Sequence, residues 1–120
     1  MMYFVPDRFF EKNDIFMIRR TDRSDDIAGY RRLTREMGGI RVAGIESEQG
    51  VSRFGEMIAT DTMDVVQASL GWAGGFTGCR KIASTAQVFD KLYTPHSFFS
   101  AVMTAANNPV CSVPGKYTVY

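Results

Sequence analysis

One histidine, two cysteines and no C-x-x-C pair leave this 120-residue chain poor in metal ligands, and a zinc site would have to be gathered from scattered positions. Charge is equally sparse in its sum. A formal net charge of +1 gives no bulk electrostatic reason for binding nucleic acid or an anionic membrane. No apolar run approaches the ~18 residues that a membrane helix needs. The opening stretch MMYFVPDRFF lacks the basic-then-apolar order of an export signal, so the expected location is cytoplasmic. In that compartment Cys79 and Cys111 read as two reduced thiols, with a single bridge between them as the alternative. Internal repeats and low-complexity segments are also missing.

What is present fits one ordinary domain spanning residues 1–120. Hydrophobic residues make up 45% and charged residues 22%, the balance of a folded globular unit. Nine of the ten arginines and nine acids lie in residues 1–53, so the second half should be mostly core or interface. Residues 1–13 carry Phe4, Phe9 and Phe10 around a Pro6-Asp7 turn signal and read as an aromatic docking arm.

The run DIFMIRR, residues 14–20, has the continuous apolar pattern of a strand covered on both faces. A helix should follow, with Asp22 or Ser24 as cap, Ile27, Tyr30, Leu33 or Thr34, and Met37 as its buried stripe, and Gly38-Gly39 as its stop. IRVAGI, residues 40–45, reads as a second strand, parallel to the first. GIESEQGVS is a loop, Val51, Phe54, Ile58 and Val65 line another helix in its early part, and Val66, Ala68, Leu70 and Trp72 alternate as a strand would, which leaves the later half unassigned. Ile82, Ala86, Phe89 and Tyr93 place a further helix that ends before Pro95. A last helix is expected with Thr94 as its cap, Pro95 at its first position and Asn107-Asn108-Pro109 as its stop. KYTVY closes the chain as a strand. The class predicted is therefore α+β, a small mixed sheet with a β-α-β start, three to four helices and a C-terminal strand.

Three constellations bear on chemistry. GWAGGFTGCRK, residues 71–81, sets Gly74, Gly75 and Gly78 before a helix with Arg80 and Lys81, an arrangement able to meet an anion or an acidic partner. Its glycine spacing matches neither the P-loop nor the dinucleotide fingerprint, and a structural turn is the favoured reading. Cys79 and His96 suggest a thiolate dyad. A capping or surface histidine and a small buried thiol account for them better, because a histidine in the first turn of a helix is disfavoured as imidazolium. Arg31, Arg32 and Arg35 line one face of the first helix, where phosphate contacts, a partner protein or plain solvation are open.

FMIRRTDRSDDIAGYRRLTREM, residues 16–37, resembles the opening strand and helix of GNAT N-acetyltransferases. That resemblance implies an acyltransferase with coenzyme A in a degenerate 71–81 loop. The preferred expectation is different: a non-enzymatic interaction protein without cofactor, acting as an assembly subunit, inhibitor or regulator. It would bind another protein or itself through the aromatic arm, seven methionines and the uncharged second half. Nucleic-acid binding through Arg31, Arg32 and Arg35 is a further alternative.

Overall fold

A computed structural model describes residues 15–20, 25–97 and 101–111. Strands and helices alternate through them: β1 (Met17–Arg20), α1 (Ile27–Glu36), β2 (Arg41–Gly44), α2 (Val51–Ala59), β3 (Val65–Val66), α3 (Gly75–Val88), β4 (Leu92–Tyr93) and α4 (Ala101–Cys111). The strands form one sheet in the order β1-β2-β3-β4, and every pairing is parallel. The fold is therefore α/β with a wholly parallel sheet and four helices among the described residues, where a mixed sheet had been expected. The reason lies in the connections, since each strand is followed by a helix that returns the chain to the same end of the sheet. The aromatic arm with Phe4, Phe9 and Phe10, and the C-terminal KYTVY, lie outside the described residues. No described helix is long and apolar enough to cross a membrane.

The sheet has two distinct faces. Ile18, Val42, Val66 and Tyr93 point toward the helices, where they pack with Tyr30, Phe54, Met57, Ile58 and Ile82. Phe54, Met57 and Ile82 are fully buried, and each contributes about 1.5–3 kcal/mol relative to exposure. Arg19, Ala43, Val65 and Leu92 form a register row on the other face. Ladder bonds continue beyond the two-residue β3 and β4: Thr94 N–H donates to the Val66 carbonyl (3.0 Å) and His96 N–H to that of Ala68 (3.1 Å). Ala68 and Leu70 belong to the helix-side core, so Gln67 and Ser69 take the opposite face by strand alternation.

Asp64 ties the sheet together at the N-terminal ends of the strands. Its Oδ2 accepts from Val42 N–H at 2.9 Å, while its own N–H and carbonyl bond Val42 and Leu92. Lys91 pairs with Asp61 and lies 3.6 Å from Asp64. The Asp61 carboxyl is held below its ordinary pKa by the hydrogen bond and charge of Lys91, with smaller help from Arg31 and Arg35.

Two helix assignments need correction. α3 stops at Val88 in a Schellman turn: Asp90 is left-handed (φ 57°), its N–H donates to Gln87 and Lys91 N–H donates to Ala86. Phe89 is consequently half exposed, and Tyr93 belongs to β4. Thr94 and Pro95 extend that strand, and the last helix begins at Ala101, running through Asn107 and Pro109 to Cys111.

Candidate active site at the strand ends

Ligands of parallel α/β sheets sit at the carboxyl ends of the strands, because the following loops and helix N-termini converge there. At this rim the chain gathers Glu46 after β2, Gln67 and Ser69 after β3, and His96 after β4, with Arg19 near the end of β1. His96 is not the helix-capping residue expected. It pairs with Ser69 in an isolated parallel bridge, which sets their side chains next to each other on the face away from the helices.

Burial lowers the His96 pKa from its ordinary value, Glu46 pushes it back up and Arg19 lowers it further. A neutral imidazole at neutral pH has a free lone pair with which to accept a proton. Behind it, Asn107, buried on α4, donates to the His96 carbonyl at 3.4 Å, and Ser97 Oγ lies 2.9 Å from Thr104 Oγ1. These contacts fix the backbone that carries the ring.

Glu46 owes its position to strain. Ile45 is fully buried and sits at φ 63°, a left-handed conformation that costs a β-branched residue about 1–3 kcal/mol. The distortion ends β2 and turns the chain so that Ile45 fills the core while Glu46 follows at the rim. Glu48, two residues on, is 3.5 Å from Arg53.

Gln67 and Ser69 are the polar exception in this buried stretch. Gln67 is 7% exposed and Ser69 0%, yet Gln67 Oε1 and Ser69 Oγ have no hydrogen-bond partner. Buried polar atoms are nearly always satisfied, so two unpartnered ones two residues apart, with Ser69 bridged to His96, are an exception at this rim.

The glycine loop borders the same rim. Gly74 (φ 89°) precedes α3 and Gly75 (φ 64°) opens it. Trp72 and Ala73 N–H groups donate to Ser69, Gly75 to Leu70 and Gly78 to Gly74, so these amides are spent inside the turn. Gly78 is required by close approach, since a Cβ there would lie 2.0 Å from the Ala73 carbonyl oxygen. Arg80 and Lys81 are exposed on α3. Cys79 is a free, buried thiol whose pKa is raised by desolvation, partly offset by Tyr93, which does not suit a nucleophile. Arg31, Arg32 and Arg35 share a surface groove of α1 with Glu36, which is 3.5 Å from Arg32.

No three His, Cys, Asp or Glu side chains among the described residues come together as a metal centre. Among the described residues, Glu46 is the acid whose charge raises the His96 pKa. The described donors thus do not fit a divalent ion on their own.

A family model described as enolase C-terminal domain-like matches residues 21–120. Among solved structures, the 3,6-anhydro-D-galactonate cycloisomerase from Zobellia galactanivorans is 28% identical with a TM-score of 0.81, covering 93% of this chain and 32% of its own. A racemase from Streptomyces coelicolor A3(2) with bound magnesium is 25% identical, TM-score 0.77, over 95% of this chain and 30% of its own. A mandelate racemase/muconate lactonizing enzyme from Sulfitobacter sp. shares the fold at 22% identity, TM-score 0.76, over 85% of this chain and 26% of its own. The chain spans between about a quarter and a third of the length of these relatives. The matches overturn the expectation of a non-enzymatic assembly subunit, inhibitor or regulator, because the shared domain belongs to enzymes. The acyltransferase resemblance of residues 16–37 falls with it: a strand followed by a helix occurs in any β/α repeat. Sequence reasoning passed over Glu46, Gln67 and Ser69. The even spacing of strand starts, at 17, 41, 65 and 92, was the signal that would have pointed to the strand ends.

Proposed function

Because the chain belongs to the enolase C-terminal domain-like family, we propose that its strand-end rim forms part of an active site that removes a proton from the carbon next to a carboxylate, with His96 as the base. The observation that supports this most is the placement of His96 at the carboxyl end of a parallel strand, bridged to Ser69, where burial lowers its pKa, Glu46 raises it and Arg19 lowers it. Successive β/α units carry their catalytic residues at these ends, and conserved chemistry of this superfamily uses a Lys or His base with one or two magnesium ions stabilising the enediolate. The Streptomyces relative was solved with magnesium. The described residues here supply too few donors for such an ion.

The transfer at His96 is simple in its balance. A ring nitrogen takes the α-proton, and the C–H electron pair moves into the carboxylate to give the enediolate. Glu46 favours the imidazolium that results, and Arg19 favours the neutral ring at rest. Return of a proton to the other face gives an isomerase, and departure of a β-hydroxyl gives a dehydratase.

The test is deuterium uptake from D2O at the α-carbon of 2-hydroxy acids, followed by NMR. His96→Asn should lower the exchange rate about 10²–10⁴-fold, the worth of a positioned general base. Exchange that persists unchanged in His96→Asn would remove His96 from the mechanism.

A further inference from the structure

Arg31, Arg32 and Arg35 line a surface groove of about 330 Å³ on α1, together with Ala28 and Glu36. One of the three guanidinium groups is unmet on its inner side. Arg31 Nε is buried and has no hydrogen-bond partner, whereas Arg32 Nε lies 3.5 Å from Glu36. We propose that this groove binds one small phosphate-type oxyanion, free phosphate or a phosphomonoester, at a site separate from the strand-end rim. Each helix carries the chain back from the strand ends to the strand starts, so Arg35, in the last turn of α1, belongs to the opposite end of the sheet from His96. The charges of Arg31 and Arg35 help to lower the pKa of Asp61, in the turn that precedes β3.

Charge and geometry both match such a ligand. Three guanidinium charges less the Glu36 carboxylate leave +2 across the groove, which a phosphate group of about −1.5 to −2 at neutral pH offsets. A guanidinium presents its Nε and Nη as a planar fork that meets two oxygens of one phosphate. In Arg31 the Nε half of that fork is buried without an acceptor, a costly state for a charged group. The acids of this surface are engaged elsewhere, since Glu36 pairs with Arg32 and Asp61 with Lys91. An oxygen from outside supplies the acceptor. A single anion suits the groove better than a nucleic-acid backbone does, because backbone binders neutralise about six to ten phosphates and this chain has a net charge of only +1. A lone carboxylate would leave half of the groove's excess charge uncompensated.

Thermal unfolding of the full chain tests the site, with inorganic phosphate, glycerol phosphate or a single-stranded oligonucleotide each compared with sodium chloride at equal ionic strength. Inorganic phosphate or glycerol phosphate should raise the melting temperature in a saturable way, by mass action on the folded state. A rise with either supports the site, and the tighter of the two names its source. Arg31→Met should weaken the affinity read from that curve about 10- to 100-fold, the worth of charge-assisted bonds. Arg31→Lys should lose most of it too, because lysine keeps the charge without the fork. Arg35→Gln, at an exposed position, repeats the test where Arg31→Met fails to fold. Arg80→Met on α3 and His96→Asn at the rim should respond to phosphate as the parent does. No rise beyond chloride at tens of millimolar phosphate, an undiminished response in Arg31→Met and Arg35→Gln, or its loss in His96→Asn would each overturn the groove site. Oligonucleotide binding more than about tenfold tighter than glycerol phosphate, with a steep salt dependence, would overturn the small-anion assignment in favour of nucleic acid.

Discussion

Replacing Gly78 by alanine tests whether the loop that borders the rim is wedged as the structure shows. An added Cβ would sit 2.0 Å from the Ala73 oxygen and 2.9 Å from its carbonyl carbon, whereas real Cβ contacts below 3.0 Å are essentially absent. The obstacle is backbone and cannot rotate away. Ala73 is fully buried, and its N–H is held by the Ser69 carbonyl at 2.8 Å. Relief therefore requires α3 or the 69–75 turn to shift by roughly an ångström, an overpacking cost of about 3 kcal/mol. The gain in helix propensity returns about 1 kcal/mol, which leaves a net loss of about 2 kcal/mol, roughly thirtyfold in the folding equilibrium. Gly55, inside α2, is the control because nothing lies within 4 Å of its added Cβ. Gly55→Ala should stabilise by about 0.5–1 kcal/mol. Urea unfolding of both variants reads the difference as a shift of midpoint at constant slope. If Gly78→Ala is as stable as Gly55→Ala, the close approach of α3 to its own entry turn is wrong.

Other expectations concern the opposite end of the sheet. Asp90→Gly should raise stability by about 1 kcal/mol, because glycine enters the left-handed position (φ 57°) without the Cβ penalty; a fall in melting temperature would contradict the Schellman stop of α3. The depressed pKa of Asp61 makes its contribution present above the unfolded carboxylate value and lost as pH falls through the folded one. Acid titration of stability should therefore show a component, within the ~0.2–1 kcal/mol of an exposed pair, that disappears in Lys91→Met. An identical acid profile in that variant would refute the pairing.

The sequence made the first β-α-β unit legible and hid the site. DIFMIRR, the stripe from Ile27 to Met37 and the Gly38-Gly39 stop each carry a strong local pattern, and β1, α1 and β2 lie where these place them. α2 was equally visible in Val51, Phe54 and Ile58. The later boundaries were obscured by accidents of spacing. Phe89 and Tyr93 continue the period of Ile82 and Ala86 across a turn made by Asp90, which has no glycine to announce it. Thr94-Pro95 imitates a helix start, although Pro95 simply occupies a position on an extended strand whose next ladder bond comes from His96. β3 has only two paired strand residues, too few for an alternation to stand out. Glu46 looked like one more polar loop residue. Its role depends on Ile45 adopting a left-handed conformation that no pattern foretells. Gln67 and Ser69 have no local signature at all, since their meaning comes from a bridge to a residue 27 positions away.

The pH dependence of α-deuterium exchange tests most directly whether His96 is a base poised at the strand ends. Burial and Arg19 lower its pKa, so the neutral form persists below the ordinary value of 6.5. The exchange rate should rise with pH along a limb whose midpoint lies under 6.5, flatten above it, and vanish in His96→Asn. A midpoint above 6.5, or the same limb in the variant, would contradict the assignment.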